Sequence, residues 1–136
     1  MCSSDLLGSA ARSNDLTVVD LPRHLDDAHD EVLSRATRVL LLARADVRGV
    51  AAAYHVARTL VPRCRALEVV VRTGPGRALA PALVADALDL PLAGTVDEDP
   101  GVRTAAERGD PPGRSARSSL GRLCGRLLHE GSEVAA

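Results

Sequence analysis

The residues best placed for chemistry are a carboxylate and a proline that follow a short apolar run. The run is residues 16–19, Leu-Thr-Val-Val; Asp20 follows it directly, and Pro22 comes two residues later. This pattern predicts a buried β-strand that ends at the proline, which lacks a backbone donor. Ligands of open α/β sheets bind beyond the carboxyl ends of the strands, where Asp20 could hold a magnesium ion. The alternative is an aspartate that starts a turn or caps a helix.

Two further polar groups follow apolar runs. Arg72 ends the apolar run 67–72 and is followed by Thr-Gly-Pro-Gly at 73–76. Asp97 and Asp99 follow the run 92–96 and precede Pro100. These positions are typical of a ligand site at the end of a parallel sheet. Arg72 is equally explained as a surface charge, and the acidic pair as the first turn of a helix, where carboxylates are favourable.

Composition excludes several classes of function. The chain of 136 residues has a net charge of −1 and a single aromatic residue, so it offers neither a basic surface nor stacking platforms for nucleic acid. All 17 basic residues are arginine, which leaves no lysine for a Schiff base or a phosphate contact. The three cysteines and four histidines show no metal-ligand spacing. No apolar run approaches the length of a membrane span and no signal peptide is evident, so we expect a cytoplasmic protein.

Alternating apolar strands and amphipathic helices predict an α/β fold. We expect a three-layer, mostly parallel sheet of about four strands with flanking helices. The strands are placed at 16–20, 38–43, 67–72 and 92–96, and the helices at 23–35, 46–61, 81–88, 100–108 and from 118 or 119 onward. Residues 1–15 are expected to be a flexible segment, 16–130 the folded part, and 131–136 a disordered tail. Leu40 and Val70 lie in uninterrupted apolar runs and are predicted to be buried in central strands.

The order of these segments resembles the C-terminal half of the MinD/ParA-type P-loop ATPases. The similarity is greatest to the branch that contains the CpaE/TadZ-like pilus-assembly proteins and the septum-site-determining protein Ssd. Residues 17–23, Thr-Val-Val-Asp-Leu-Pro-Arg, resemble the Walker B and switch II segment of that branch. The other matching segments are 39–42 with 45–52, 69–76, 88–94, 97–100 and 107–109. The resemblance covers about residues 16–130 and rests on the order of the motifs, since none of them is very specific alone.

The resemblance implies a partial P-loop NTPase or Rossmann-like fold with the remains of a nucleotide site. The implied cofactor-binding residues are Asp20, Pro22, Arg72, Asp97 and Asp99. Asp20 would hold magnesium through water, and Arg72 stands where many relatives place an asparagine that recognises adenine. An intact relative would use ATP and magnesium.

The chain departs from the family in lacking the P-loop. No Gly-x-x-x-x-Gly-Lys-Ser/Thr motif precedes residue 16, and no lysine is present to supply the family's signature contacts. We therefore expect a fragment that is not an enzyme, uses no cofactor by itself, and acts through protein partners or as a homodimer. The implied function is septum-site determination or pilus assembly. The alternatives are half of an ATPase whose P-loop is encoded upstream, and a non-functional truncated remnant.

The missing P-loop strand has a consequence for the sheet. In the family this strand lies between the two segments that correspond to 16–20 and 38–43. Its absence would leave two sheet edges with unpaired backbone groups. The two segments can pair directly, a strand from another chain can fill the gap, or the N-terminal end can fray. We expect direct pairing to be the easiest of these, together with some tendency of the chain to self-associate through the sheet edge.

Overall fold

The computed structural model describes residues 3–22, 25–76, 78–115 and 117–134. Within this part, a parallel sheet holds three strands in the order β1 (Val39–Arg44), β2 (Leu67–Thr73) and β3 (Leu92–Asp97). The helices are α1 (Ser3–Ser13), α2 (Asp27–Arg35), α3 (Val47–Leu60), α4 (Pro81–Leu88), α5 (Pro100–Arg108) and α6 (Ser119–Val134), with a 3-10 turn at Val61–Arg63 after α3. The predicted α/β class is confirmed.

The two faces of the sheet are covered unequally. On one face, α3 and α4 pack over the middle of the sheet, where Val69, Val71 and Val84 are fully buried. On the other face, α6 packs over β3 and β2, and Leu123 meets Val70 and Ala93. Leu40 and Leu42 of β1 lie on this second face beyond α6 and are 42% and 62% exposed. The sheet therefore has one well-covered half, at β2 and β3, and one open corner, at β1.

Several element boundaries follow directly from local chemistry. Helix α4 begins at Pro81, where the missing backbone donor of proline carries no cost. Helix α5 begins after Asp99, whose carboxylate accepts a hydrogen bond from the Gly101 amide, and it ends at Gly109 in the left-handed conformation with φ 74°. These three boundaries lie where the sequence predicts them.

The predicted first strand is wrong. Residues 16–20 form no strand, and Leu16 and Val18 are 58% and 83% exposed. They do not pair with β1, so the expected direct pairing is also wrong. An apolar run forms a strand only beside a neighbour that accepts its backbone hydrogen bonds, and this one has none among the described residues. The sheet has three strands rather than about four for the same reason.

Three other expectations need correction. The N-terminal segment, predicted to be flexible, is helical over Ser3–Ser13 and packs against α2. Helix α6 extends to Val134, into the segment predicted to be a disordered tail, whose residues 135 and 136 lie outside the described part. Leu40 is not buried, because β1 is an edge strand, whereas the predicted burial of Val70 is confirmed at 5% exposure.

None of the helices in the described part of the chain has both the length and the apolar character needed to cross a membrane.

Candidate functional site

A polar cleft opens at the carboxyl ends of the three strands. It has a volume of about 220 Å³. Its walls come from the ends of β1 and β2, the start of α3, the loop after β2 and the residue after β3. The polar side chains and the glycine that line it are Arg44, Asp46, Arg72, Thr73, Gly74 and Glu98. This is the edge at which open parallel α/β sheets bind ligands.

The start of α3 is closed by a side chain of the chain itself. Asp46 is the N-cap, and its Oδ1 accepts a hydrogen bond of 2.7 Å from the backbone amide of Gly49. That bond, helped by Arg44, holds the pKa of Asp46 below its usual value. A Cβ on Gly49 would lie 2.6 Å from the carbonyl oxygen of Arg44, so glycine permits the close approach of the helix to the end of β1. The carboxylate thus occupies the anion position that a helix N-terminus offers.

The two guanidinium groups that the described residues bring to the cleft are paired with carboxylates. Arg44 Nε lies 3.0 Å from Asp46 Oδ2, and Arg72 Nη2 lies 3.5 Å from Glu98 Oε1. All four side chains are substantially exposed, so these pairs are weak individually. Together they leave the described lining of the cleft polar and without net charge.

The far wall of the cleft is held together by short polar contacts. The hydroxyl of Thr73 at the end of β2 donates a hydrogen bond of 2.6 Å to Oδ1 of Asp97 at the end of β3. The backbone amide of Asp97 donates to the hydroxyl of Ser119 at 2.9 Å, which connects β3 to the start of α6. These contacts fix the relative positions of the two strand ends that carry the polar residues.

The predicted site residues fall into three groups. Arg72 lines the cleft, and Asp97 stands beside it through Thr73. Asp99 caps α5 through the Gly101 amide, so it has a structural task. Asp20 and Pro22 lie in the exposed segment before α2 and do not line the cleft.

Two lining residues were not predicted as site residues. Arg44 ends β1, and Asp46 entered the prediction only as the first residue of the helix placed at 46–61. Both residues stand at the end of a predicted strand, which is the same feature that identified Arg72 as a candidate site residue. It was overlooked because the predicted first strand placed the site around Asp20 instead.

The cleft does not fit a magnesium nucleotide. Phosphate sites of this kind use free helix N-terminal amides, a lysine and a metal-holding carboxylate. Here Asp46 caps the helix, the chain has no lysine, and both arginines are paired. Among the residues that the structure describes, no group of three His, Cys, Asp or Glu side chains is arranged to hold a metal ion.

Comparisons with known proteins give two relatives. The chain is 37% identical over 106 residues to the uncharacterized proteins MT3760 and Rv3660c from two strains of Mycobacterium tuberculosis. The match covers 77% of this chain and 30% of the length of each relative. No protein-family model matches the chain, and no solved structure matches it.

Proposed function

We propose that this chain is part of a regulatory or localisation protein of the MinD/ParA type that does not itself hydrolyse ATP. The observation that carries the proposal is the pairing inside the cleft. The cleft lies where α/β sheets bind nucleotides, and its polar groups stand at the strand ends. Its arginines and the N-terminus of α3 are engaged by carboxylates of the chain itself. Such a site is suited to shaping a surface for a partner rather than to holding a triphosphate.

The position of the cleft supports the MinD/ParA part of the proposal. Arg72, the loop after β2 and the acidic residues after β3 come together at one edge, as the resemblance implies for the nucleoside side of the site. The parallel order of β1, β2 and β3 agrees with the same resemblance.

The charges support the absence of hydrolysis. Phosphoryl transfer depends almost entirely on cationic groups and backbone amides aimed at the transferred phosphate. Asp46 would place a negative charge close to any phosphate approaching the start of α3. The expected consequence is weak or absent binding of ATP.

Equilibrium titration with a fluorescent ATP analogue and magnesium tests this consequence. We expect no saturable binding in the micromolar range and no ATP hydrolysis. Saturable micromolar binding that Arg72→Ala abolishes, while the control Arg108→Ala on the exposed last turn of α5 leaves it unchanged, would contradict the proposal. That result would favour half of an ATP-binding ATPase.

Localisation in a mycobacterial host tests the regulatory role, because both relatives come from that genus. A fluorescent fusion of the chain should form foci at the septum or the poles and change cell length when overproduced. Arg72→Glu, which reverses a charge of the cleft, should reduce the foci, and Arg108→Glu should not. Diffuse fluorescence with normal cell length in cells that contain intact fusion protein would overturn the proposed role.

A further inference from the structure

Residues 14–20 have the character of a β-strand but no strand to join. Leu16, Val18 and Val19 are 58%, 83% and 42% exposed, and residues of these types favour strands. Among the described residues, none of the backbone groups of 16–20 has a backbone hydrogen-bond partner. Residues 16–20 therefore form an exposed, mostly apolar stretch whose backbone groups have no backbone partner within the described part of the chain.

Strand β1 has an open edge to which a further strand could be added. β1 pairs with β2 on one side, and no described strand lies on its other side. Edge strands in natural proteins are normally short, charged or covered. β1 instead carries Val-Leu-Leu-Leu-Ala between its flanking arginines, with Leu40 and Leu42 exposed. It offers an apolar edge on which another strand can add.

The two segments carry opposite charges. Residues 14–20 are compared with residues 38–44, and Asn14 is tied to the end of α1 by its hydrogen bond to the carbonyl oxygen of Ala10. The first contains two aspartates and no basic residue, and the second contains two arginines and no acidic residue. Arg44 is 75% exposed and is held only by the weak pair with Asp46, whereas Arg38 is 25% exposed and is held by both Glu68 and Glu130.

This difference between the two arginines selects a parallel orientation. Parallel addition places Asp20 opposite Arg44 at the carboxyl end of the sheet. Leu16 and Val18 then lie beside Leu40 and Leu42 on the open face, and Thr17 and Val19 point to the α3 face. The all-parallel sheet is extended by one strand, and the apolar corner is covered along its edge.

A chain cannot make this parallel pairing with its own β1. Leu21 packs on the cluster of Leu33 and Leu67 that also receives Val39, the first residue of β1. Asp20 precedes Leu21 directly, whereas the pairing requires Asp20 at the other end of β1, about 16 Å away at the rise of a strand. The segment of a second copy is free of this restraint.

We propose that residues 14–20 of one copy add as a parallel strand to the edge of β1 in a second copy. Each copy both gives a segment and receives one, so the contact is reciprocal and closes as a two-fold dimer. The inference rests on the sheet edge and does not depend on the function proposed for the cleft. Nucleotide binding and localisation do not test it. Of the experiments below, the crosslinking leaves the cleft residues unchanged, whereas Arg44→Asp also alters a residue that lines the cleft.

Site-directed crosslinking tests the contact and its partner. In a background with Cys2, Cys64 and Cys124 replaced by serine, Val18→Cys and Leu42→Cys are introduced into two separate chains that carry tags of different size. We expect a covalent heterodimer when the two chains are mixed under mild oxidation, and none when Arg108→Cys replaces Leu42→Cys. Absence of the heterodimer overturns the proposal. So does closure of a chain with both cysteines on itself as a covalent monomer, which would assign the segment to its own edge.

Charge exchange tests the register. Asp20→Arg and Arg44→Asp should each weaken dimerisation on the order of tenfold, because like charges then oppose each other at both contacts of the dimer. An equimolar mixture of the two variants should restore it, because both contacts of the mixed dimer then join opposite charges. Sedimentation equilibrium provides the measurement, and circular dichroism checks that each variant folds. A monomeric unmodified chain, or no recovery in the mixture, or an equal loss in the exposed control Asp110→Arg, contradicts the pairing.

Discussion

Strands β1 and β2 have similar sequences and opposite environments. β1 reads Val-Leu-Leu-Leu-Ala before its terminal arginine, and β2 reads Val-Val-Val in its centre. Val69, Val70 and Val71 are buried, whereas Leu40 and Leu42 are exposed. Composition is not the cause of the difference. In the part of the chain that the structure describes, β2 has a strand on each side and helices on both faces, whereas β1 has a strand on one side and a helix, α3, on one face.

The comparison of β1 with β2 shows that an uninterrupted apolar sequence allows a strand to be buried but does not by itself bury it. The pattern is typical of central parallel strands. When it occurs at an edge, the apolar surface remains available for another strand. The less buried strand is held at its two ends instead, by Arg38 at its start and by Asp46 just after it.

The sharpest test of the comparison places the same charge in both strands. Val71→Asp should abolish the folded state, because a carboxylate would be enclosed without a partner between α3, α4 and the sheet, at a cost of about 3 kcal/mol or more. Leu42→Asp should change the free energy of unfolding by less than about 0.5 kcal/mol, as surface substitutions usually do. Urea unfolding at a concentration where the chain is monomeric measures both. Equal destabilisation by the two variants would show that β1 is buried in solution.

A milder pair of truncations sharpens the same comparison. Val70→Ala should cost about 2 kcal/mol, because it leaves a void between Ala93 and Leu123 that the surroundings fill only partly. Leu40→Ala, which removes more atoms from an exposed position, should cost about 0.5 kcal/mol or less. The free energy of unfolding from denaturant titration checks the order. A larger loss from Leu40→Ala than from Val70→Ala would contradict it.

The fold was predictable where local chemistry alone determines the structure. The start of α4 follows from Pro81, and the limits of α5 follow from Asp99 and Gly109. The run 16–20 and the run in β1 have the same local pattern, but within the described residues only the second has a neighbouring strand. Pairing of this kind depends on residues far away in the chain, so periodicity could not separate the two.

The candidate site was predictable to the same degree. Arg72 and Asp97 were placed at strand ends and do come together there, because the register aligns Thr73 with Asp97. Asp20 was placed at the end of a strand that does not form, so it lies outside the cleft. The pairing of Arg44 with Asp46 could not be predicted, since it depends on the close approach of α3 to the end of β1 that Gly49 permits.

The ion pairs of Arg38 at the start of β1 should contribute less to the free energy of unfolding than the buried valines do. Arg38 donates hydrogen bonds of 2.8 and 2.6 Å to the two carboxylate oxygens of Glu68 on β2, and one of 2.9 Å to Glu130 on α6. The hydrogen bond to Glu68 is the main cause that raises the pKa of Arg38 above its usual value. Arg38→Ala should cost about 1 kcal/mol, because the two-point contact is only a quarter exposed and one residue joins three elements.

The matched control for Arg38 is the exposed pair of Arg35 with Glu31 within α2. Arg35→Ala should cost less than about 0.5 kcal/mol, the usual value of such helix pairs. Urea unfolding of the two variants, repeated at high salt, separates them, since screening weakens an exposed pair more than a partly buried one. Equal losses of unfolding free energy in the two variants would show that the Arg38 ion pairs stabilise the chain no more than an exposed helix pair does.

Substitution of Asp46, the N-cap of α3 just after β1, should change the stability least, and the change should depend on pH. The pKa of Asp46 is lowered in the folded state, first of all by the hydrogen bond from the Gly49 amide. A carboxyl whose folded pKa is lowered stabilises the protein above its unfolded pKa, about 3.9 for an aspartate, and loses that contribution as the pH falls through the folded value. Asp46→Asn keeps a cap but does not titrate, so it should be less stable than the unmodified chain at neutral pH.

The pH series distinguishes the charge of Asp46 from its role as a cap. The difference in unfolding midpoint between the unmodified chain and Asp46→Asn should shrink as the pH falls below about 4, because the carboxyl is then protonated in both the unfolded and, at lower pH, the folded chain. Asp46→Ala should show the same pH-dependent part plus a loss that is independent of pH, because the Gly49 amide then has no acceptor. A difference for Asp46→Asn that persists unchanged to low pH would mean that the carboxylate charge does not hold α3 to the end of β1. Of the two contacts described at the ends of β1, the ion pairs of Arg38 alone would then hold the strand in place.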